Sequence, residues 1–158
     1  MCAQARTRPA GQTARGRPTI REATLADHPQ IAMLVTALGY PTNATDMKER
    51  LEGLFADASY TTFAAELGGS VVGMAGACIA RFYERNGVYA RLCALVVSGD
   101  KAGHGVGAAL VRAVEKWAMD HGAAEIFLNS GVQREGSHSF YEKLGYRATG
   151  VRFSKELG

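Results

Sequence analysis

The chain has 158 residues at 47% hydrophobic composition, enough to bury the core of one domain and too few for two of ordinary size. Its net charge of +3 is a property of the first eighteen residues, MCAQARTRPAGQTARGRP, which hold four arginines and no acid; the remainder carries 14 basic and 15 acidic side chains and nets −1. The charge therefore gives no argument for nucleic-acid binding, no run approaches the ~20 apolar residues of a membrane span, and three cysteines without Cys-x-x-Cys or Cys/His ligand spacing predict neither a disulfide framework nor a metal site.

Residues 1–18 show no apolar periodicity and are expected to be disordered, ahead of a single domain over 19–158. An Arg-rich, acid-free start has the composition of a transit peptide, and an extended N-terminus is the alternative. Unpaired thiols fit a reducing compartment, so a cytoplasmic protein is expected.

Thr19 to Glu22 reads as a short strand. A helix follows from about Asp27, with Ile31, Leu34, Val35 and Leu38 on one face and Gly39 at its end. A second helix spans about Thr45 to Ala56 along Met47, Leu51, Leu54 and Phe55, and the turn-rich segment GYPTNA joins the two. A meander comes next: Tyr60 to Leu67, Gly68-Gly69, Ser70 to Phe82, Asn86-Gly87, Val88 to Val97. Gly-Gly and Asn-Gly are two-residue hairpin signals, because both central positions of such turns need φ > 0. Gly73 and Gly76, inside a strand, predict a bulge or close packing.

The stretch from Leu92 to Trp117 carries the most information. An apolar strand ending in LCALVV passes through SGDKAGHGVG into a helix beginning near Gly105, with Val106, Leu110, Ala113, Val114 and Trp117 on one stripe and Gly122 as its stop. Glycines at 103, 105 and 107 let main-chain N–H groups converge where the helix dipole favours negative charge, which makes a seat for a phosphate-bearing ligand. Ala108 and Ala109 after Gly107 are not the Lys-Ser/Thr that closes a P-loop. Gly103, Gly105 and Ala108 match dinucleotide spacing, but Glu125 opens the next strand instead of closing it, and antiparallel hairpins precede the loop. The run Glu125 to Asn129 reads as a buried strand, parallel to the one before the loop. Arg147 to Glu156 is expected to form a final strand.

Two segments carry a resemblance. ALVVSGDKAGHGVGAALVRAVEKWAMDHG is similar to the acetyl-CoA-binding motif of the GNAT superfamily of N-acetyltransferases, and REGSHSFYEKLGY, from Arg134 to Tyr146, resembles that family's second signature, a short helix with Phe-Tyr closed by Leu-Gly-aromatic. Order and separation also match, and the similarity runs from about Thr19 to Leu157. The resemblance implies an α/β fold: a GNAT-like mixed, mostly antiparallel sheet flanked by helices and splayed between the fourth and fifth strands. It implies acetyl-CoA as acetyl donor, with Leu95, Val96 and Val97 along the pantetheine arm and Lys101, Ala102, Gly103, His104, Gly105, Val106, Gly107 and Ala108 around the pyrophosphate. Ala102 departs from the family's usual Gln or Arg, leaving Lys101 as the nearby charge.

The resemblance makes Tyr141 the acid that protonates the departing thiolate; an ordinary phenol, with pKa ~10, still holds its proton at neutral pH. Phe140 and Leu144 anchor that helix and Ser137 caps it. Tyr40 and Pro41 border the acceptor cleft, with loop packing as the alternative. Val88 to Val97 contains no Asp or Glu, so the general base is unassigned, with Glu66, Glu84 and Asp100 near in sequence. Cys78 and Cys93, among small apolar residues, read as small hydrophobes. The function implied is direct acetyl transfer to the primary amine of a small molecule, in a protein for which a homodimer is compatible and no nucleic-acid or membrane partner is expected. A non-catalytic acyl-CoA-binding domain is the alternative, and a dinucleotide-dependent oxidoreductase a further one.

Overall fold

In the computed structural model, which describes residues 16–131 and 135–158, four antiparallel strands and one parallel strand form a single sheet in the order β1-β2-β3-β4-β5. The expected tail falls largely on residues 1–15, outside the described residues, as does Arg134 of the second signature. Strand β1 (Thr19–Glu22) leads through a 3-10 turn at Leu25–Asp27 into α1 (His28–Ala37) and α2 (Ala44–Ala56). The turn is clamped where Asp27, only 7% exposed, accepts from both terminal nitrogens of Arg21 at 2.8 and 2.9 Å while the Thr24 N–H bonds the same carboxylate. Arg21 Nε bonds Glu66 on the neighbouring strand at 2.9 Å, so one guanidinium fixes where α1 departs from the sheet.

Strands β2 (Tyr60–Leu67) and β3 (Ser70–Arg81) meet through Gly68 and Gly69, both at positive φ, as a two-residue turn requires. The next connection differs from expectation. Only Gly87 has positive φ, and Phe82–Gly87 forms a longer loop closed by the Phe82 N–H on the Gly87 carbonyl. Tertiary contacts hold that shape. Phe82 stacks on Tyr89 with centroids 5.1 Å apart, Arg85 lies 4.0 Å over the Phe82 ring, and Arg85 ion-pairs with Glu125.

The core has two layers. Ile31, Leu34, Met47, Leu51, Met74 and Val96 fill the side under α1 and α2, while Val72, Ala75, Leu92, Leu110, Val111 and Val114 fill the side under α3 (Val106–Asp120). Phe55 of α2 falls outside this packing at 38% exposed. Gly73 is the point of closest approach: a Cβ there would stand 3.1 Å from Leu110 Cδ1 and from the Val96 carbonyl oxygen. One bulge lies at Gly76/Ala77, opposite which β4 (Val88–Val97) has the extra residue Cys93, and another, between Ala65 and Glu66, leaves Val72, next to Gly73, as the extra residue of β3. Cys93 reverses the alternation of β4: Leu92 packs toward α3, and beyond that bulge Leu95 and Val97 do.

Strand β5 (Ala123–Leu128) runs parallel to β4 but pairs only with Val88 to Leu92. From Cys93 to Val97 no strand among the described residues pairs with that edge of β4, and this is the splay. β5 is a half-exposed edge strand, with Phe127 at 40%, and not the buried strand expected. Helix α4 (Glu135–Lys143) places Ser137 in its first turn, so Ser137 is not its cap. Residues 147–158 form no strand: nothing among the described residues pairs with them, and Val151 and Phe153 are 80% and 92% exposed.

Candidate functional site

The splay opens a cleft of about 880 Å³ whose floor is β4 and whose walls are the loop into α3, the tip of β5, and α4. Among the residues singled out from sequence, Leu95, Val96 and Val97 line its floor, and Lys101, Ala102, Gly103, Gly105, Gly107 and Ala108 line one end. Tyr40 and Tyr141 also line it. Three do not. Pro41 lies outside, Val106 is 2% exposed in the core under α3, and His104 turns back so that Nδ1 sits 3.0 Å from the Ala102 carbonyl.

The three loop glycines serve different ends. Gly103 and Gly105 have φ of +77° and +78°, where an L side chain is strained, and a Cβ on either would meet only open space. Gly107 is helical, and a Cβ there would stand 3.3 Å from Phe140 Cζ. It is the place where α4 docks on α3. The first α-helical bond of α3 runs from the Ala109 N–H to the Gly105 carbonyl, and the N–H groups of Gly105, Val106, Gly107 and Ala108 meet no acceptor among the described residues. These are the four orphan donors of the first turn of α3, at the end of the cleft that Gly105, Gly107 and Ala108 line, where the helix dipole adds positive potential. Lys101, ion-paired to Asp100 at 3.1 Å, supplies charge beside them.

The charge of the whole cleft has one sign. Lys101, Arg91, Lys143 and Arg152 line it, and no carboxylate does among the described residues. The acids near in sequence are engaged elsewhere: Glu66 with Arg21, and Asp100 with Ser98 and Lys101, which hold its carboxyl below the usual range. Glu84 lies outside the cleft.

Tyr141 is half-buried between Phe140 and Tyr146, edge to face with centroids at 5.1 and 5.8 Å. The Tyr146 hydroxyl donates to Glu115 Oε1 at 3.0 Å, and burial together with that bond pushes its ionisation well above the ordinary phenol value. Tyr146 therefore ties α4 to α3 as a neutral donor, and Phe140, Tyr141 and Leu144 pack on the same core.

From sequence, Cys93 reads as a small hydrophobe and Arg91 is assigned no role. Cys93 opens onto the cleft and is no core hydrophobe, because the bulge turns it out of the alternation. It donates to Cys78 at 3.6 Å; packing around the sulfur and that shared hydrogen push its thiol up to about 11, so it is a poor nucleophile at neutral pH. Arg91 had a readable signal, since it alternates against the buried Ala90 and Leu92 on a strand that ends at the loop.

Among the described residues no group of three metal-ligating side chains occurs, and no helix is long and apolar enough to cross a membrane.

The profile of the Acetyltransferase (GNAT) family matches residues 21–146. Among curated proteins the chain is similar to N-acetyltransferase 8 of Rattus norvegicus, 31% identical over 109 residues, 69% of this chain and 49% of that protein. It is also similar to aminoglycoside N(6')-acetyltransferase type 1 of Stenotrophomonas maltophilia, 34% identical over 137 residues, 84% of this chain and 88% of that protein. The chain spans about half the length of the first relative and most of the second. A GNAT family acetyltransferase of Staphylococcus aureus superposes at TM-score 0.78 with 28% identity, over 90% of this chain and 100% of that one. An aminoglycoside N-acetyltransferase solved in complex with CoA shares the fold at TM-score 0.81 with 20% identity, over 93% and 100% of the two chains. A splayed sheet, a glycine loop at a helix start, and a profile match that includes both signatures have one reading: the chain belongs to the GNAT acetyltransferase family.

Proposed function

We propose that the protein is an acetyl-CoA-dependent N-acetyltransferase that passes the acetyl group directly to the primary amine of a small molecule. The observation that carries this reading is the row of four unpartnered main-chain N–H groups from Gly105 to Ala108, at the end of an electropositive cleft beside the open edge of β4. A diphosphate suits those donors, and the open space beside Gly103 and Gly105 admits it. Family membership, and the CoA named with one structural relative, support the same ligand.

Acetyl-CoA supplies an activated acyl carbon on a thioester. The open edge of β4 from Cys93 to Val97 orients an extended arm by main-chain hydrogen bonds, as an added strand would, and N–H groups near Leu95–Val97 steady charge on the acyl oxygen. Tyr141 holds a phenolic proton for the sulfur that departs, and Tyr146, fixed to Glu115, sets the ring's position from the side. With no described carboxylate in the cleft, the amine proton leaves through water. The unlinked thiols of Cys78 and Cys93 support a reducing, cytoplasmic setting.

The same lack of a carboxylate favours the second reading, a domain that binds acyl-CoA without turning it over. Free-thiol release from acetyl-CoA, followed across a panel of amines, separates the two. Amine-dependent release supports the transferase, and tight CoA binding without release from any amine supports the sensor.

A further inference from the structure

A second cavity, of about 340 Å³, lies at the far end of β4 from the glycine loop, between the Phe82–Gly87 loop and the tip of β5. It shares Arg91, Leu128 and Asn129 with the large cleft, so the two adjoin at those residues. From Val97 to Arg91 is six residues of strand, about 20 Å. The smaller cavity is therefore the end reached by what enters opposite the phosphate.

Its lining combines two chemistries. Phe82, Tyr89 and Phe127 form a connected aromatic wall, with successive centroids 5.1 and 5.3 Å apart. Arg81 and Arg91 also line this cavity, and neither has a carboxylate within ion-pair distance among the described residues, whereas neighbouring Arg85 is taken up by Glu125 and by the Phe82 ring. Glu84 is the only acid lining this cavity among the described residues. Arg91 is near enough to Cys93 for its charge to oppose the upward push on that thiol, which puts the guanidinium beside the bulge and at the junction of the two cavities.

We infer that the acceptor is an amine that also bears a carboxylate and an apolar or aromatic group, as an amino acid with a large side chain or its conjugate does. The carboxylate pairs with Arg91, with Arg81 behind it, and the apolar group lies on the Phe82–Tyr89–Phe127 wall. A guanidinium fork with no ion-pair partner among the described residues matches a planar carboxylate in two parallel hydrogen bonds. The aromatic wall selects an apolar body over a sugar phosphate. A polycationic amine meets two like charges here and more in the cleft, so the aminoglycosides named with one relative are a poor electrostatic match.

This inference rests on the transferase reading, and its test keeps the two apart. The full chain is assayed for thiol release with matched pairs, L-phenylalanine against L-phenylalaninamide and L-leucine against L-leucinamide, and with kanamycin and spermidine. The carboxylates are expected to exceed their amides in kcat/KM by at least about tenfold, although the amides have the more readily deprotonated amine. Arg91→Gln and, separately, Arg81→Gln should shrink that ratio to about threefold or less, chiefly through KM. Arg81 lies outside the large cleft, so its variant remains informative if R91Q folds poorly. Amides equal to or better than their acids, or kanamycin or spermidine as the best acceptor, would overturn the carboxylate assignment and leave the transferase standing. Release with no amine at all would overturn both.

Discussion

Gly73 and Gly76 lie in one strand, Gly73 facing α3 and Gly76 facing Ala94 on the other side of the sheet, and the structure assigns them opposite responses to a single methyl group. A Cβ at Gly73 would stand 3.1 Å from Leu110 Cδ1, 3.1 Å from the Val96 carbonyl oxygen and 3.3 Å from Val106 Cγ1. Leu110 and Val106 are 0% and 2% exposed, and the carbonyl belongs to a strand paired to β3, so none of the three can swing away. Relief must come from lifting the first turns of α3 off the sheet. Overpacking of this kind costs about 1–3 kcal/mol, partly offset by ~0.5–1 kcal/mol from removing a strand glycine, for a net loss near 1–2 kcal/mol. In a chain of this length the melting midpoint should fall by roughly 3–8 °C. At Gly76 the nearest atom is Ala94 Cβ at 3.9 Å, so Gly76→Ala should be neutral or slightly stabilising. Because Val106 and Leu110 sit directly behind the free N–H groups, Gly73→Ala should also weaken CoA binding, whereas Gly76→Ala should not. Urea or thermal unfolding of both variants, with a CoA titration, decides it. Equal stability for the two, or a Gly73→Ala protein as stable as the parent, would refute the packing argument.

Tyr141→Phe should lower turnover by about 100-fold while the dissociation constant for acetyl-CoA stays within about threefold, and unchanged turnover would reduce Tyr141 to a packing ring. Asp27→Asn should cost about 2–3 kcal/mol at neutral pH, below the limit for a buried pair because the Arg21 side chain remains 34% exposed. The Asp27 carboxyl is held below its ordinary 3.8, first by its hydrogen bonds from Arg21, so its contribution is present above that value and lost as pH falls through the lowered one. The stability gap between Asp27→Asn and the parent should therefore narrow below about pH 4, and a gap constant down to acid unfolding would contradict the assignment.

Much of the fold was legible because its elements are amphipathic and punctuated. β1 and β2 fall on the residues expected, and α1, α2 and α3 lie within a residue or two, with the apolar faces the periodicity picked out except at Phe55. What failed depends on partners distant in sequence. Asn86-Gly87 has the composition of a tight turn, but Arg85 is held by Glu125 from β5 and Phe82 by Tyr89, and these contacts open the loop. The bulge at Cys93 is set by the pairing of β3 with β4, so no reading of β4 alone could place Cys93 toward the cleft. Gly107 matched the expected loop spacing, yet its closest neighbour is Phe140 of α4, more than thirty residues away in the chain. The final strand failed because alternation in Val151 and Phe153 makes no ladder without an adjoining strand. The glycine loop at the end of the cleft, where the donor is proposed to bind, was legible in sequence because main-chain geometry and glycine determine its shape. The smaller cavity, proposed to take the acceptor, was not, because it is assembled from three segments.

Calorimetric titration of the full chain with acetyl-CoA, alongside S-acetylpantetheine, measures what the main-chain donors from Gly105 to Ala108 contribute. The account predicts micromolar binding of acetyl-CoA that weakens with added salt, and affinity for the fragment lacking the diphosphate lower by about 100-fold or more. Equal affinity for the two, or no heat with acetyl-CoA at millimolar concentration, would contradict it.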